Sequence, residues 1–520
     1  MKANRGLSLI VLLGLIVPVS SCSLRRARPP NRNLVRVERV PQTRPDYTAT
    51  VIPPNIAPLN FAIQEPGAQY HVTIRAGAGE RIEIRTKTPR IVIPQAPWRR
   101  LLEANRGQPF QIDVYAQSED NGWRCFEPIA NDVANEGIDK YLVYRLIHPL
   151  YNYFRDVGIY ERDLESYRQR ELFHGRSTAD SCVNCHAFLN HRGSSCTIGI
   201  RSQAFGNSAL LVQGSSVTKL DTMFGYTAWH PSGRVIAYSA NKVRQFFHWA
   251  RAEVRDVVDL DSGLAYYDLR TQKAKTHPSI SDPGRLETYP TWTPDGKYLY
   301  FCSAAFPWED RTRMPPENYD QCRYDLMRVS YDLDSDTWGK PEMVLSSEET
   351  ELCIMLPRVS PDGRFLLFCM CDYSCFPIYQ PTSDLYIMDL QTGDYWEPDI
   401  NSDLSESWHS WSTNSRWIAF SSKRRDGLFT RSYISYVDQE GKAHKPFILP
   451  QKDPTFYDSY LKTYSVPEFV VEPLRATERH LAEAIRWPGG LEVGSPVKFE
   501  KQAPTSAPGG AWQDAWEQAR

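Results

Sequence analysis

Apolar and polar residues alternate with a period of two along the stretch that follows residue 46. Tyr70, Val72 and Ile74 do so first, then Ile82 and Ile84, Ile91 and Ile93, and Ile112 and Val114. Pro53-Pro54, Gly77-Ala78-Gly79 and Asn105-Arg106-Gly107 punctuate these runs. Short half-buried strands between turn residues predict a β-sandwich-like domain over 46–130. Between Ile138 and Phe173 the spacing changes. Tyr141, Leu142, Arg145, Leu146, Tyr151, Phe154, Leu164 and Tyr167 fall near helical spacing, interrupted at Pro149 and Gly158. This predicts a short helical connector over 131–180.

Beyond residue 215 a repeat emerges. Trp229-His-Pro-Ser-Gly-Arg-Val-Ile-Ala-Tyr, Trp292-Thr-Pro-Asp-Gly-Lys-Tyr-Leu-Tyr-Phe, Val359-Ser-Pro-Asp-Gly-Arg-Phe-Leu-Leu-Phe and Trp411-Ser-Thr-Asn-Ser-Arg-Trp-Ile-Ala-Phe each read as apolar residue, tight turn, buried strand. Further strand signals lie between the copies, at Leu264–Asp268, Tyr324–Val329 and Asp384–Asp389. Multi-strand units recurring at intervals of roughly 50 to 70 residues predict a β-propeller. With the haem-type motif described below it occupies 181–470, in about six blades by that spacing. An open array would leave strand edges unpaired, so closure is expected. The strand near Thr197–Arg201 would pair with a late strand near Tyr433–Val437 or Thr463–Val466. The fold class is therefore mainly β. After residue 470 the pattern weakens to one helix over Ala476–Ile485 and a weakly ordered tail, 471–520.

The N-terminus has a different character. Lys2 and Arg5 precede the apolar run Leu7–Val19, and small residues lead to Cys22. This is the pattern of a secretory signal over 1–21, too short for a permanent membrane span. The Cys after the small residues resembles a bacterial lipobox, which would leave Cys22 lipid-modified at the mature N-terminus. An ordinary signal peptide is the alternative. Residues 22–45 carry Arg25, Arg26, Arg28, Arg32, Arg36, Arg39 and Arg44 against Glu38, with four prolines, and predict an extended basic tether. It would contact anionic headgroups or act as a plain spacer.

Composition narrows the classes. The 520 residues carry a formal net charge of −2, which argues against nucleic acid held on a broad basic face. No later apolar run is long enough to span a bilayer.

The candidate chemistry lies in Cys182-Val183-Asn184-Cys185-His186. C-x-x-C-H is the attachment signature of c-type haem: two thiols reach the two vinyl groups and the His supplies an axial nitrogen. A redox pair, half a zinc site and a disulfide are the alternatives. The chain has no second C-x-x-C to complete a zinc site and no thioredoxin-like βαβ context. The reading is covalent haem c on Cys182 and Cys185, with His186 as proximal ligand. Distal candidates are His248, His409 and Met223, with His191 and His230 also weighed, and five-coordinate iron stays open. Arg192 and Arg201 are near enough in sequence to meet the propionates.

Cys302 and Cys369 occupy equivalent strand positions, which predicts a plain core role. Export permits disulfides, either Cys371–Cys375 or a pair including Cys353. Asp259, Asp261, Asp295 and Asp362 invite calcium, but Asp295 and Asp362 belong to Pro-Asp-Gly turns, and the turn explains them.

The four repeat copies resemble those of TolB-type propellers, which also occur in prolyl oligopeptidases. The haem-type motif, Tyr226-Thr-Ala-Trp-His-Pro231, Asn241 to His248, Ser407-Trp-His-Ser-Trp-Ser412, Arg416–Ser421 and Val466-Pro-Glu-Phe469 follow in one order. Together with Ile52-Pro-Pro-Asn-Ile-Ala-Pro-Leu-Asn-Phe61, that order resembles TolB-like cell-envelope proteins of Bacteroidetes, described as cytochrome c biosynthesis or cytochrome c domain proteins. Members often carry a Phe-His-Val-Arg-Gly strand. Here Ile198-Gly-Ile-Arg-Ser202 lacks that His. A hydrolase is disfavoured, because there is no G-x-S-x-G elbow and no α/β domain after the propeller. Two function classes follow. One is an exported, lipid-anchored haem protein that transfers electrons or docks a redox partner at the envelope. The other is an envelope binding or scaffold protein whose propeller holds a protein or glycan, with structural or sensory haem.

Overall fold

The computed structural model describes residues 34–119, 121–149, 156–251, 253–307, 310 and 313–497. The signal segment, Cys22, the first half of the basic tether (22–33), Tyr151, Phe154 and the tail beyond 497 lie outside the described residues.

The chain is mainly β. The N-terminal part is a seven-stranded sheet, a three-stranded sheet and one helix. Tyr70, Val72, Ile74, Ile112 and Val114 point into its core, as their alternation predicted. Two features differ from expectation. Leu34–Val37, assigned to the tether, is a strand paired in parallel with Trp123–Phe126. Its Leu-Val-Arg-Val alternation suits an edge strand, and Arg39 fastens the chain just beyond it to Glu65 at 2.6 Å. The second is Gln95–Ala104, a helix that buries Trp98, Leu101 and Leu102. These residues stand at i, i+3 and i+4, a helical stripe the strand reading passed over.

Six antiparallel sheets form the propeller. Blade two is Cys182–Phe188, Ser195–Arg201, Ser208–Gln213 and Ser216–Leu220. The innermost strands of blades three to six are Thr227–Trp229, Arg285–Trp292, Cys353–Val359 and Glu406–Trp411. Each touches the next around the ring. Blade one is composite. Tyr141–Ile147, Gly158–Asp163 and Gln169–His174 form its outer part, and Thr463–Val470 supplies its inner strand. The ring closes there, with Tyr141 opposite Val470 and Ile147 opposite Thr463.

This corrects the helical connector and places closure one blade earlier than expected. Thr463–Val470 is the late strand, but its partner is Tyr141–Ile147 rather than Thr197–Arg201. Leu142, Tyr144 and Leu146 pack into one core and Val143 into another. A strand buried on both faces loses its polar alternation, so its apolar run mimics a helical stripe. The helix expected over Ala476–Ile485 is present, and the low order expected around it is corrected as far as residue 497. Glu478–Arg486 is a helix capped by Thr477, with Leu481, Ala482 and Ile485 against blades one and two. Leu491 bridges to Leu220 on the outer edge of blade two.

The repeated turns are local hydrogen-bond devices. Thr293 donates to Asp295 at 2.6 Å and accepts from the Tyr298 amide, and Ser360 does the same with Asp362 at 2.5 Å and Phe365. The carboxylates are used by their own turns. In the first copy His230 takes that place and also meets the Gly296 carbonyl of the next blade at 3.1 Å. Cys302 and Cys369 are core residues, fully buried. No cysteine among the described residues is in a disulfide, including Cys353, Cys371 and Cys375.

Candidate functional site

A regular strand places residues i and i+3 on opposite faces. Cys182 and Cys185 lie on one strand, yet both line the same cavity, of about 160 Å³, at one mouth of the central channel. A bulge brings this about. The register against Ser195–Arg201 slips between Asn184 and His186, and Cys185 takes a left-handed backbone, φ 45°. The extra residue turns the second thiol to the side of the first. Left-handed residues mark slips in other inner strands too: Tyr289, Leu356, Trp408 and Val466. Non-glycine residues in that region cost about 1 to 3 kcal/mol each, so the ring holds strain at its centre. None of these bulges was legible in the sequence. Three precede proline, a position that favours extended backbone instead.

Four cationic residues line the thiol cavity: Arg145, Arg201, Arg255 and Lys423. Glu253 ion-pairs with Arg255 at 2.6 Å and with Lys423. Burial pulls Lys423 down to about 8. Arg145 donates to Asn184 and, at 3.1 Å, to Ser465, while Arg201 donates to the Met223 sulfur at 3.2 Å. Neither Arg145 nor Arg201 ion-pairs with a carboxylate among the described residues. Tyr226, Phe376 and Tyr379 supply apolar wall. Burial pushes the Cys185 thiol up, so the sulfur is held protonated.

Of the distal candidates, only Met223 reaches this cavity. His248 is held by Asp256 at 3.0 Å. His409 meets the Leu367 carbonyl at 3.1 Å and His191 the Phe469 carbonyl at 3.0 Å; both line the opposite mouth. Arg201 lines the thiol cavity and Arg192 does not, bridging instead to Glu472. His186 follows Cys185 in sequence but lines the next stretch of channel, edge-on to Phe188. Its two ring nitrogens are buried without a well-formed hydrogen bond, and burial drives it down to about 3.

The fit to haem is therefore partial. Two thiols on one wall, four cations and a thioether suit the vinyl edge and the two carboxylates of the group. The enclosed volume of about 160 Å³ is below the roughly 300–1,000 Å³ of common cofactor sites and is too small to enclose a whole macrocycle. His186 does not line the cavity that both thiols share, and it meets Cys185 only across a narrower space of about 40 Å³ deeper in the channel.

No protein-family model and no curated protein matches the chain. Among solved structures it is similar to TolB from Acinetobacter baumannii, with TM-score 0.41, 14% identity, and coverage of 70% of this chain and 80% of that one. It is also similar to prolyl oligopeptidase B from Galerina marginata, with TM-score 0.34, 11% identity, and coverage of 65% and 42%. Hydrazine synthase from Kuenenia stuttgartiensis follows, with TM-score 0.31, 14% identity, and coverage of 51% and 64%. The chain spans less than half the length of the oligopeptidase. These are likenesses of fold, and the propeller itself is established by the strand pairing above.

Proposed function

We propose that this chain is an exported c-type haem protein, anchored by lipid at Cys22, that carries electrons or docks a redox partner at the bacterial envelope. The observation that supports it is the shared cavity of Cys182 and Cys185. A bulge that costs backbone strain turns both thiols to one side, beside the guanidinium groups of Arg145 and Arg201, which pair with no carboxylate among the described residues. Cys182 and Cys185 would hold the haem through two thioethers. Arg145 and Arg201 have donors to spare for its carboxylates. Met223 offers a sulfur ligand from the same cavity, and His186 serves only if it changes its place in the channel. When bound, the haem supplies a one-electron couple. The aromatic walls Tyr226, Phe376 and Tyr379 would exclude water from the group.

The test is expression with the cytochrome c maturation machinery, followed by haem staining on a denaturing gel. The wild type is expected to stain and Cys182→Ala/Cys185→Ala to stay blank. An unstained wild type, or a stained double variant, overturns the reading. Mass spectrometry of the mature N-terminus checks for the lipid on Cys22.

A further inference from the structure

The opposite end of the channel holds a larger cavity, of about 620 Å³. That volume lies within the range of small-molecule sites, roughly 300–1,000 Å³. Arg358 stands on its wall, two residues after the left-handed Leu356. The Arg358 guanidinium makes no hydrogen bond and no ion pair among the described residues; its backbone carbonyl alone is engaged, by the Trp411 indole at 3.0 Å. Burial pulls its pKa down, and Glu468 is the nearby carboxylate that offsets this. Glu468 itself accepts from the Phe188 amide at 3.0 Å rather than pairing with Arg358.

The same wall carries other unmet polar groups. His186, Trp408 and Ser410 line the cavity, are at least nine-tenths buried, and each has a ring nitrogen, indole nitrogen or hydroxyl without a partner. Trp229, Trp292, Trp411, Pro231 and Pro294 make the remaining surface broad and apolar. The Arg358 guanidinium is half-buried and has no carboxylate partner, and buried donors without acceptors are costly. A ligand that brings one carboxylate to the guanidinium and a flat apolar body to the tryptophans supplies the missing acceptor.

We infer that this cavity binds a small organic carboxylate, its anionic end on Arg358 and its apolar body among the tryptophans. The site lies beyond the thiol cavity along the channel, and a small cavity of about 40 Å³ lined by Cys185, His186, Arg358 and Trp408 stands between the two. The titratable groups facing it are His186, His191, His409 and Glu468. Burial drives His186 and His409 down to about 3, so both stay neutral. His191 is also lowered by burial. Glu468 is pushed up to about 7 by burial, so the cavity loses a negative charge as pH falls through that value. Binding of the anion strengthens in the same direction.

Tryptophan fluorescence of the full mature protein, titrated with benzoate and with its neutral twin benzamide, tests this. Benzoate is expected to give a saturable change. Benzamide, or benzoate on Arg358→Met, is expected to bind at least about tenfold more weakly, as loss of a charge-assisted hydrogen-bond pair requires. Benzoate affinity is expected to rise as pH falls through about 7, and Glu468→Gln to abolish that dependence. No saturable change with benzoate, or equal affinity for benzamide, overturns the inference. Should Arg358→Met fail to melt cooperatively, the benzoate and benzamide comparison on the wild type decides alone.

Discussion

Cys182 and Cys185 face one cavity because the left-handed backbone at Cys185, φ 45°, inserts an extra residue between them. The same cavity is walled by Arg145 and Ile147 of the outer part of blade one and by Thr463 and Ser465 of the closing strand. The two thiols and the ring closure therefore share a wall.

Loading that cavity should tighten the closure. Haem-loaded wild type is expected to melt at higher temperature than Cys182→Ala/Cys185→Ala, by about 1 to 2 °C if the gain is about 1 to 2 kcal/mol. Differential scanning calorimetry of the two proteins is the check. Coincident melts would place the group outside the ring.

Closure by Thr463–Val470 makes the late strand indispensable. A chain ending at Leu461 loses the inner strand of blade one and exposes the edge of Tyr141–Ile147. It is expected to aggregate or to unfold without cooperativity, whereas a chain ending at Val497 should melt as the full protein does. Limited proteolysis and thermal melts separate the two.

Gly296 tests the contact between blades three and four. Its φ is +72°, and an added Cβ would lie 2.3 Å from the His230 Nε2. Gly296→Ala is expected to cost about 2 kcal/mol or more from strain and overlap together. His230→Ala removes the overlap, so the double variant should lose less than the sum of the single losses. Additive denaturation midpoints would argue against the contact.

Glu287 carries a pH signature. Burial pushes it up to about 8, and one of its oxygens lacks a partner. A carboxyl raised in the folded state adds stability below its unfolded value, near 4.5, and that stability is lost as pH rises through about 8. Glu287→Gln does not ionise. Relative to wild type it is expected to gain roughly 1 to 4 kcal/mol between mildly acid and alkaline pH. Urea midpoints of both proteins across that interval measure it.

The sequence by itself determined the repeat, and with it the propeller. Trp229, Trp292, Val359 and Trp411, each followed by a hydrogen-bonded turn and a buried strand, are local devices that read the same in any context. The period-two runs at Tyr70–Ile74 and Ile112–Val114 were legible for the same reason, since one face of each strand meets the core. Tertiary structure alone decided where the ring closes, because Tyr141–Ile147 is buried on both faces and its partner lies more than three hundred positions away. It also decided the site. Adjacent letters of the Cys182–His186 motif imply a common centre, yet a strand sends neighbours to different sides, and one bulge at Cys185 sorts the two thiols into one cavity and His186 into another stretch of channel. The unpaired Arg358 had no signal in the sequence, because a lone arginine reads as surface until six blades enclose it.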